Sequence, residues 1–441
     1  MSAFARRLQS AGYQTPPVQP QTFAYITSVH ASGRYFLDQS GDPILIKGDS
    51  PWSAMVDLSP AQWETWCASR ESYGFNTAIV SLIGSVTNGG PSNSGATYDG
   101  VLPFVGGNVT NPNPTYWTRV DQFVQIAADH GITLFLYAID GWTVLGGCVF
   151  DGVSNANCQA FGTWLANRYA DAPNIVWMFG GDYSGWSTAN NQMNACLTGI
   201  RSTGDTRPAS TQMIYQRSWS TQYAFWADKV DFNHVYSYPV QYDAVYGAYQ
   251  SATIPALFME GHYGGENDAW SALTIRKQAA WAMTQGSPGH VYGTDDWEFH
   301  SGWASRLNSY FVADARAVHA AVESLEWWKL APSRTLITAG AGTLINASGV
   351  GQSSDSSKDP SNSDYATAAL AADGRLALLY LPNAARAVTI NTTLIGANPT
   401  ARWIDPSSGA VTSTAFGASY SHPAANAGGS ADWLLVIEAD A

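Results

Sequence analysis

Charge is scarce in this chain. Asp, Glu, Lys and Arg together make up 12% of its 441 residues, about half the globular norm of roughly 25%. Cations are scarcer still: 21 Lys and Arg stand against 34 Asp and Glu, a formal charge of −13. Phosphate polymers are held by clusters of Lys and Arg, and with no such cluster nucleic acid is excluded as an expected partner. No apolar run approaches the ~18 residues of a membrane span, and the opening M-S-A-F-A-R-R-L-Q-S-A-G-Y has no apolar signal-peptide core. Cysteine is limited to Cys67, Cys148, Cys158 and Cys196 without C-x-x-C spacing, which argues against a zinc or redox site. Cys148 and Cys158 are candidates for a bridge across one loop, whereas Cys67 and Cys196 read as free thiols on helical segments. Also missing are G-x-S-x-G, H-E-x-x-H and a catalytic-cysteine context, so an esterase or peptidase lacks support.

Aromatic residues, by contrast, abound. With 18 Trp and 22 Tyr on so few charges, the polar surface must be built from Ser, Thr, Asn, Gln and Gly. Secreted sugar-handling proteins share that composition, and an extracellular or cell-surface location is the expectation.

Length exceeds the usual ceiling of about 250 to 300 residues for one hydrophobic core, so a large domain plus a smaller one is expected. Residues 34–46, R-Y-F-L-D-Q-S-G-D-P-I-L-I, alternate around an S-G-D turn and read as a hairpin. Eight strand candidates follow, ending at Asp49, Leu82, Asp140, Asp182, Gln216, Tyr238, Glu260 and Asp296. Helix signals lie between them: Ser59-Pro60, Pro114, Cys158 to Tyr169, Asp268 to Gln285 and Ser301 to Glu326. Alternation of strands and helices implies parallel pairing, and eight units match a closed (β/α)8 barrel. After W-W-K-L-A-P the segment from Gly340 to Asp364 reads as a loop, and short alternating strands beyond it predict a small antiparallel β-sandwich. The expected division is an N-terminal extension over 1–27, the barrel over 28–332 and the sandwich over 333–441.

The chemistry is suggested by two apolar runs that stop on an acid: N-I-V-W-M-F-G-G-D at Asp182 and I-P-A-L-F-M-E at Glu260. In such barrels the C-terminal rim of the strands carries the reacting groups. Glycoside hydrolysis requires one carboxylic acid to protonate the leaving oxygen and one carboxylate to attack or to activate water. Strands four and seven lie on opposite parts of the rim, so Asp182 and Glu260 can face each other. A separation of about 5 to 5.5 Å would mean retention and roughly 6.5 to 9.5 Å inversion. The bland readings are a loop or N-cap acid for Asp182 and a salt bridge to Arg276 or Arg217 for Glu260.

Acids beside indoles suit sugars, whose hydroxyls take hydrogen bonds while their C–H faces stack on rings. Asp49 with Trp52, and Asp140 with Trp142, stand in that relation; capping and core packing are the alternatives. Tyr236, Tyr238, His262 and Trp297 are further substrate-binding candidates, and Tyr263 is placed to hydrogen-bond Glu260 and keep it ionised. His234 reads as structural. Asp295, Asp296 and Glu298 give only a weak calcium signal, and neither metal nor cofactor is expected.

Several longer motifs carry a resemblance over roughly residues 30 to 440. R-Y-F-L-D-Q-S-G-D-P-I-L-I-K-G-D-S-P-W, A-P-N-I-V-W-M-F-G-G-D, E-G-H-Y, R-K-Q-A-A-W-A-M-T-Q-G-S-P-G-H-V-Y-G and W-W-K-L resemble the apiosidase-like glycoside hydrolases. That family has a TIM barrel and a C-terminal β-domain sometimes labelled a collagen-binding module. The resemblance implies a retaining glycosidase with Asp182 as acid/base and Glu260 as nucleophile, acting on a complex polysaccharide or its side chains, with furanosides such as apiose or arabinose as candidates. Where the family reads E-P-x-Y-E this chain has E-G-H-Y-G-G-E, with an insertion before Glu266, and T-D-D-W-E-F-H follows strand eight. A non-catalytic carbohydrate- or matrix-binding protein is the competing reading, against which stands the presence of both acids on their motifs.

Overall fold

A computed structural model describes residues 23–185, 187–215, 217–266, 270–346, 360–382 and 386–440. Eight parallel strands form the barrel: β1 (Ile46–Asp49), β2 (Thr77–Ser81), β3 (Thr133–Asp140), β4 (Ile175–Gly180), β5 (Ala209–Gln212), β6 (Asn233–Tyr236), β7 (Ala256–Glu260) and β8 (Gly289–Tyr292). Parallel ladders run from β1 to β5, from β6 to β8, and from β8 back to β1. The β5–β6 seam is held differently. Asp231 donates its amide to the Ala209 carbonyl, Ser210 donates its hydroxyl to the Phe232 carbonyl, and Ser220 bridges the Thr211 carbonyl and the His234 amide. The short strand Ser218–Trp219 runs antiparallel beside β6.

Every strand candidate is present, but five end short of the expected residue: β2 at Ser81, β4 at Gly180 and β6 at Tyr236, and, by more, β5 and β8. β5 stops at Gln212; Gln216, where the sequence reading ended it, lies outside the described residues. β8 stops at Tyr292 because Asp295–Glu298 wind into a 3-10 turn capped by Thr294. Helices Pro60–Ser72, Pro114–Asp129, Asn155–Arg168 and Ala272–Thr284 start at the expected caps or close to them; Asp268, from which the last was expected to begin, lies outside the described residues. Ser59 forms a capping box with Gln62, which satisfies two otherwise orphaned amides. The single helix expected over Ser301 to Glu326 is broken into Trp303–Arg306 and Val312–Glu323, because Tyr310 and Phe311 adopt left-handed backbone at φ 50° and 68°. Helices Ser187–Arg201 and Gln241–Ser251 complete the outer layer.

Inside the ring, Ile46, Ile79, Phe135, Tyr137, Val176, Met178, Leu257, Met259 and Val291 form the filling. The predicted hairpin, Phe36–Leu37 paired with Pro43–Ile44, closes the N-terminal end, with Phe36 packed edge-on against Phe232 at 5.2 Å. Within the stretch expected as an extension, Ile26 belongs to that same interior cluster, while residues 1–22 lie outside the described residues. With both faces of the strands covered, the side chains at the strand ends reach open space at the C-terminal mouth, the rim on which such barrels build their sites.

The C-terminal region is an antiparallel six-stranded sheet in the order 330–332, 367–371, 376–381, 433–440, 397–404, 411–414, facing a three-stranded sheet of 337–339, 387–390 and 419–421. Its outer face shares one apolar cluster with the barrel, in which Trp281, Tyr242 and Val318 meet Leu378, Tyr380 and Leu434. Beside that cluster the fully buried Arg276 forks onto Asp432, at 2.9 Å for both contacts, and reaches Asp314 at 2.5 Å. Arg276 is therefore engaged by these two acids and not by Glu260. The loop reading of residues 340–364 is open to description only at its ends, since 347–359 lie outside the described residues.

All four cysteines are free. Cys158 is buried on the helix Asn155–Arg168 and packs in the main core, while Cys148 lies half-buried in the preceding loop, so the contemplated bridge is not formed.

Candidate active site

Two β-bulges aim the rim acids. Alternation along β7 sends Leu257 and Met259 inward, which would leave Glu260 pointing out. The ladder with β6 instead steps from Val235↔Phe258 to Tyr236↔Glu260, an extra residue that returns Glu260 to the mouth. On β3 the register skips Ala138 in the same manner, from Tyr137↔Met178 to Ile139↔Phe179, and Asp140 turns inward.

Asp182 is positioned by strained backbone. Gly180 and Gly181 have φ of 85° and 124°, and Asp182 itself sits at φ 44°, unusual for a residue with a Cβ. Glycine is demanded here by space as well: a Cβ on Gly180 would lie 2.0 Å from the Gln212 carbonyl oxygen, and one on Gly181 2.9 Å from Asp140 Oδ1. The G-G-D turn thus folds tightly over β5 and delivers the carboxyl to the mouth.

There Asp182 and Glu260 line one cavity of roughly 600 Å³, including its open entrance, with Trp52, Asp140, Trp142, Tyr236, Tyr238, Tyr263, Glu266 and Trp297. Glu260 is 7% exposed. Its Oε1 accepts the Tyr263 hydroxyl at 2.9 Å and its Oε2 the Gln212 amide at 2.5 Å. Gln212 is oriented in turn by the Tyr137 hydroxyl, which donates to Oε1 at 2.7 Å. The Trp52 indole donates to the Tyr263 hydroxyl at 2.7 Å, fixing the proton that Tyr263 presents to Glu260.

Burial, and next the charge of Asp182, push Glu260 well above the usual carboxylate range, opposed by Tyr263 and Tyr236 as donors. Burial likewise raises Asp182 to about 7, opposed by Tyr236 and reinforced by the charge of Asp140. Two desolvated like charges do not both ionise readily, so the pair retains a proton near neutrality. Asp182 Oδ1 is buried with no hydrogen-bond partner, whereas both oxygens of Glu260 accept one. The hydrogen bonds favour a protonated Asp182 beside an ionised Glu260.

The remaining expected residues divide. Trp52, Trp142, Tyr236, Tyr238, Tyr263 and Trp297 line the cavity, with Trp142 and Trp297 half-buried. Asp140 lines it too, yet its oxygens are taken by Ser81 at 2.6 Å, Asn88 at 2.7 Å and the Trp142 amide at 2.8 Å, the capping arrangement weighed against binding. Asp49 is not brought into the cavity: it is buried in an ion pair with Arg70 at 2.5 Å, because the helix Pro60–Ser72 places that guanidinium behind β1. His262 is also absent from the lining, its ring stacked on Trp270 at 3.5 Å and tilted against Tyr238 at 4.9 Å. His234 lies in the barrel interior, where burial drops its pKa to about 3 and keeps it neutral. Asp296 pairs with Arg306 and Glu298 with His300; among the described residues no group of three or more His, Cys, Asp or Glu is arranged to hold a metal ion. Sequence reasoning passed over Gln212, Asn88 and Thr87; an amide at the end of a rim strand was the one signal that marked Gln212.

A closed βα barrel with two buried carboxyls lining one cavity at its C-terminal mouth, followed by a β-sandwich, is the architecture of glycoside hydrolases. The chain belongs to the apiosidase-like family: the model of the family's catalytic domain matches residues 30–329. Among solved structures it is similar to a glycoside hydrolase at 20% identity and TM-score 0.79, covering 94% of this chain and 97% of that one. A family 5 glycoside hydrolase from Bacteroides vulgatus aligns with TM-score 0.78 at 20% identity, covering 94% of each chain. More distant is a GH27 β-L-arabinopyranosidase from Geobacillus stearothermophilus, at 9% identity and TM-score 0.51 over 90% of this chain and 97% of the other. These likenesses establish the fold. No curated protein sequence matches the chain.

Proposed function

We propose that the protein is a retaining glycoside hydrolase in which Asp182 serves as acid/base and Glu260 as nucleophile. Asp182 donates its proton to the glycosidic oxygen as that bond breaks, and Glu260 attacks the anomeric carbon from the other side, giving a covalent glycosyl ester. Asp182, now a carboxylate, removes a proton from water, which cleaves the ester and returns Glu260 to its ionised state. The observation that carries this reading is the pair of buried carboxyls from β4 and β7 in one cavity, of which Glu260 is held by donors and Asp182 retains an oxygen without a partner.

The indoles of Trp52, Trp142 and Trp297 offer apolar faces to a sugar ring, as a carbohydrate substrate requires. A glycosidic bond in a complex polysaccharide or its side chains, on a furanoside such as apiose or arabinose, fits the family and the cavity. The charge-poor, aromatic-rich composition supports an extracellular or cell-surface site of action, which fractionation of the source cells would check.

The test replaces Asp182 and Glu260 singly and follows the product's anomeric configuration by NMR. Turnover should fall by at least about 10³-fold in either variant with the fold intact, and the first product should keep its configuration. Near-normal turnover in either variant rejects the assignment, and an inverted first product rejects the retaining mechanism.

A further inference from the structure

Glu266 is a fourth acid in the cavity beside Asp140, Asp182 and Glu260, and its position is built rather than incidental. After Tyr263 the chain runs Gly264-Gly265-Glu266, and the Glu266 amide donates back to the Tyr263 carbonyl at 3.2 Å. A Cβ on Gly264 would meet the Tyr310 carbonyl oxygen at 2.5 Å, and one on Gly265, whose φ is 83°, would meet the Tyr310 ring at 2.2 Å. Only a glycine pair lets the loop pass beneath Tyr310 and carry the next side chain into the mouth. Gly264 is also fastened to the loop after β8, its amide donating to Gly293 at 2.9 Å while its carbonyl accepts from Asp295 at 3.1 Å. The loop that presents Glu266 is therefore anchored at Gly264 through both its amide and its carbonyl.

Among the described residues no ion pair or hydrogen bond engages the Glu266 carboxyl. Its charge stands beside those of Asp295 and Glu298, and burial together with these neighbours raises its pKa. Among the described residues, the lining contains Asp140, Asp182, Glu260 and Glu266, and no Lys, Arg or His. A cavity of that composition repels a sugar that bears its own carboxylate or sulfate, and offers hydroxyl protons an acceptor.

We propose that Glu266 is a specificity-determining residue, which accepts hydroxyl protons of the bound sugar and restricts the cavity to neutral glycosides, turning away uronates and sulfated sugars. This rests on the hydrolase reading above. The test offers the full chain a panel of oligosaccharides ending either in neutral sugars or in uronate or sulfated sugars, with release read by mass spectrometry. Binding is read in parallel by ligand-observed NMR on the Asp182→Asn variant. The expected result is release and binding confined to neutral ends, with Glu266→Gln raising KM for the best substrate roughly 10-fold while kcat changes less than about threefold. Cleavage or binding of acidic ends as good as that of neutral ones overturns the selectivity and leaves the hydrolase standing, and an unchanged KM in Glu266→Gln does the same for the role of that residue. Neutral ends bound by Asp182→Asn yet never cleaved by the unaltered protein would instead remove the hydrolase reading alone. Silence from every member in both assays overturns both.

Discussion

Tyr263 follows Glu260 by three residues and donates its hydroxyl to Oε1 of that acid at 2.9 Å, while accepting the Trp52 indole N–H at 2.7 Å. The indole thus settles which way the phenolic proton points. Stabilisation of the ionised carboxyl by this donor opposes the desolvation that raises its pKa. Tyr263→Phe removes the donor, so Glu260 should ionise at higher pH and the ascending limb of the pH–rate profile should move to the alkaline side, with kcat/KM down roughly 10- to 100-fold. An unmoved limb in that profile would show that Tyr263 does not tune the acid.

Gln212 offers a second control on the same group, since its amide holds Oε2 and is itself held by Tyr137. Gln212→Ala should lower kcat by about 10- to 100-fold and displace the same limb in the same direction. Tyr137→Phe should act more weakly along that path. Equal effects on kcat from both variants, measured under saturating substrate, would contradict the ordering.

Thermal stability should respond to Asp182 in a direction opposite to activity. Its pKa is raised from 3.8 to about 7 by burial, so the folded state binds the proton more tightly than the unfolded chain. The fold consequently loses stability as pH rises from about 4 through about 7. Asp182→Asn, which cannot ionise, should melt on the order of a few degrees higher than the unaltered protein at pH 8 and show no such gain below pH 4. Calorimetry across that window decides the matter, and a gain at low pH would be the wrong sign.

Much of this architecture was legible beforehand. The apolar runs closing on Asp49, Asp140 and Glu260 end where β1, β3 and β7 end, since burial on both faces leaves a parallel strand with an unbroken apolar signature. Direction was less legible. Simple alternation turns Glu260 away from the mouth, and only the bulge on β7, which depends on its partner β6, brings it back. Asp49 looked equivalent to Asp140 because its partner Arg70 lies on a helix whose docking the sequence does not state. His262 was displaced from the cavity by a neighbour, Trp270, eight residues on. The break between the last two helices is invisible to a pattern, as Tyr310 and Phe311 are ordinary helix residues forced into left-handed backbone by tertiary packing.

The G-G-D turn should tolerate little. Gly180→Ala places a methyl group 2.0 Å from the Gln212 carbonyl at a φ of 85°, so backbone must move on both β4 and β5. A stability cost of at least about 1 to 3 kcal/mol is expected, accompanied by loss of turnover beyond what the melting shift explains. Denaturant titration alongside kinetics measures both, and an unaffected enzyme would mean the strain is unimportant.

Barrel and sandwich should unfold together. Arg276 and Asp432 are fully buried and fork onto one another across the two parts. Asp432→Ala strands the guanidinium with Asp314 as its remaining acid, at an expected cost of about 3 to 5 kcal/mol. A single calorimetric transition at lower temperature is the expected outcome, whereas two separate transitions in the unaltered protein would show that the parts melt independently.

Seven of the barrel's eight neighbouring strand pairs share ladders, and the eighth is buttoned by the hydroxyls of Ser210 and Ser220. Gln212 stands on one lip of that join and Tyr236 on the other, each leaning on Glu260. Were the wall to breathe, it would part there with few main-chain links to sever, and a gap of a fraction of an ångström would loosen the grip on the nucleophile from two directions. The barrel's point of easiest give therefore coincides with the clamp on its reacting group, so that a change as slight as Ser220→Ala, remote from any sugar, would reach the chemistry through the scaffold.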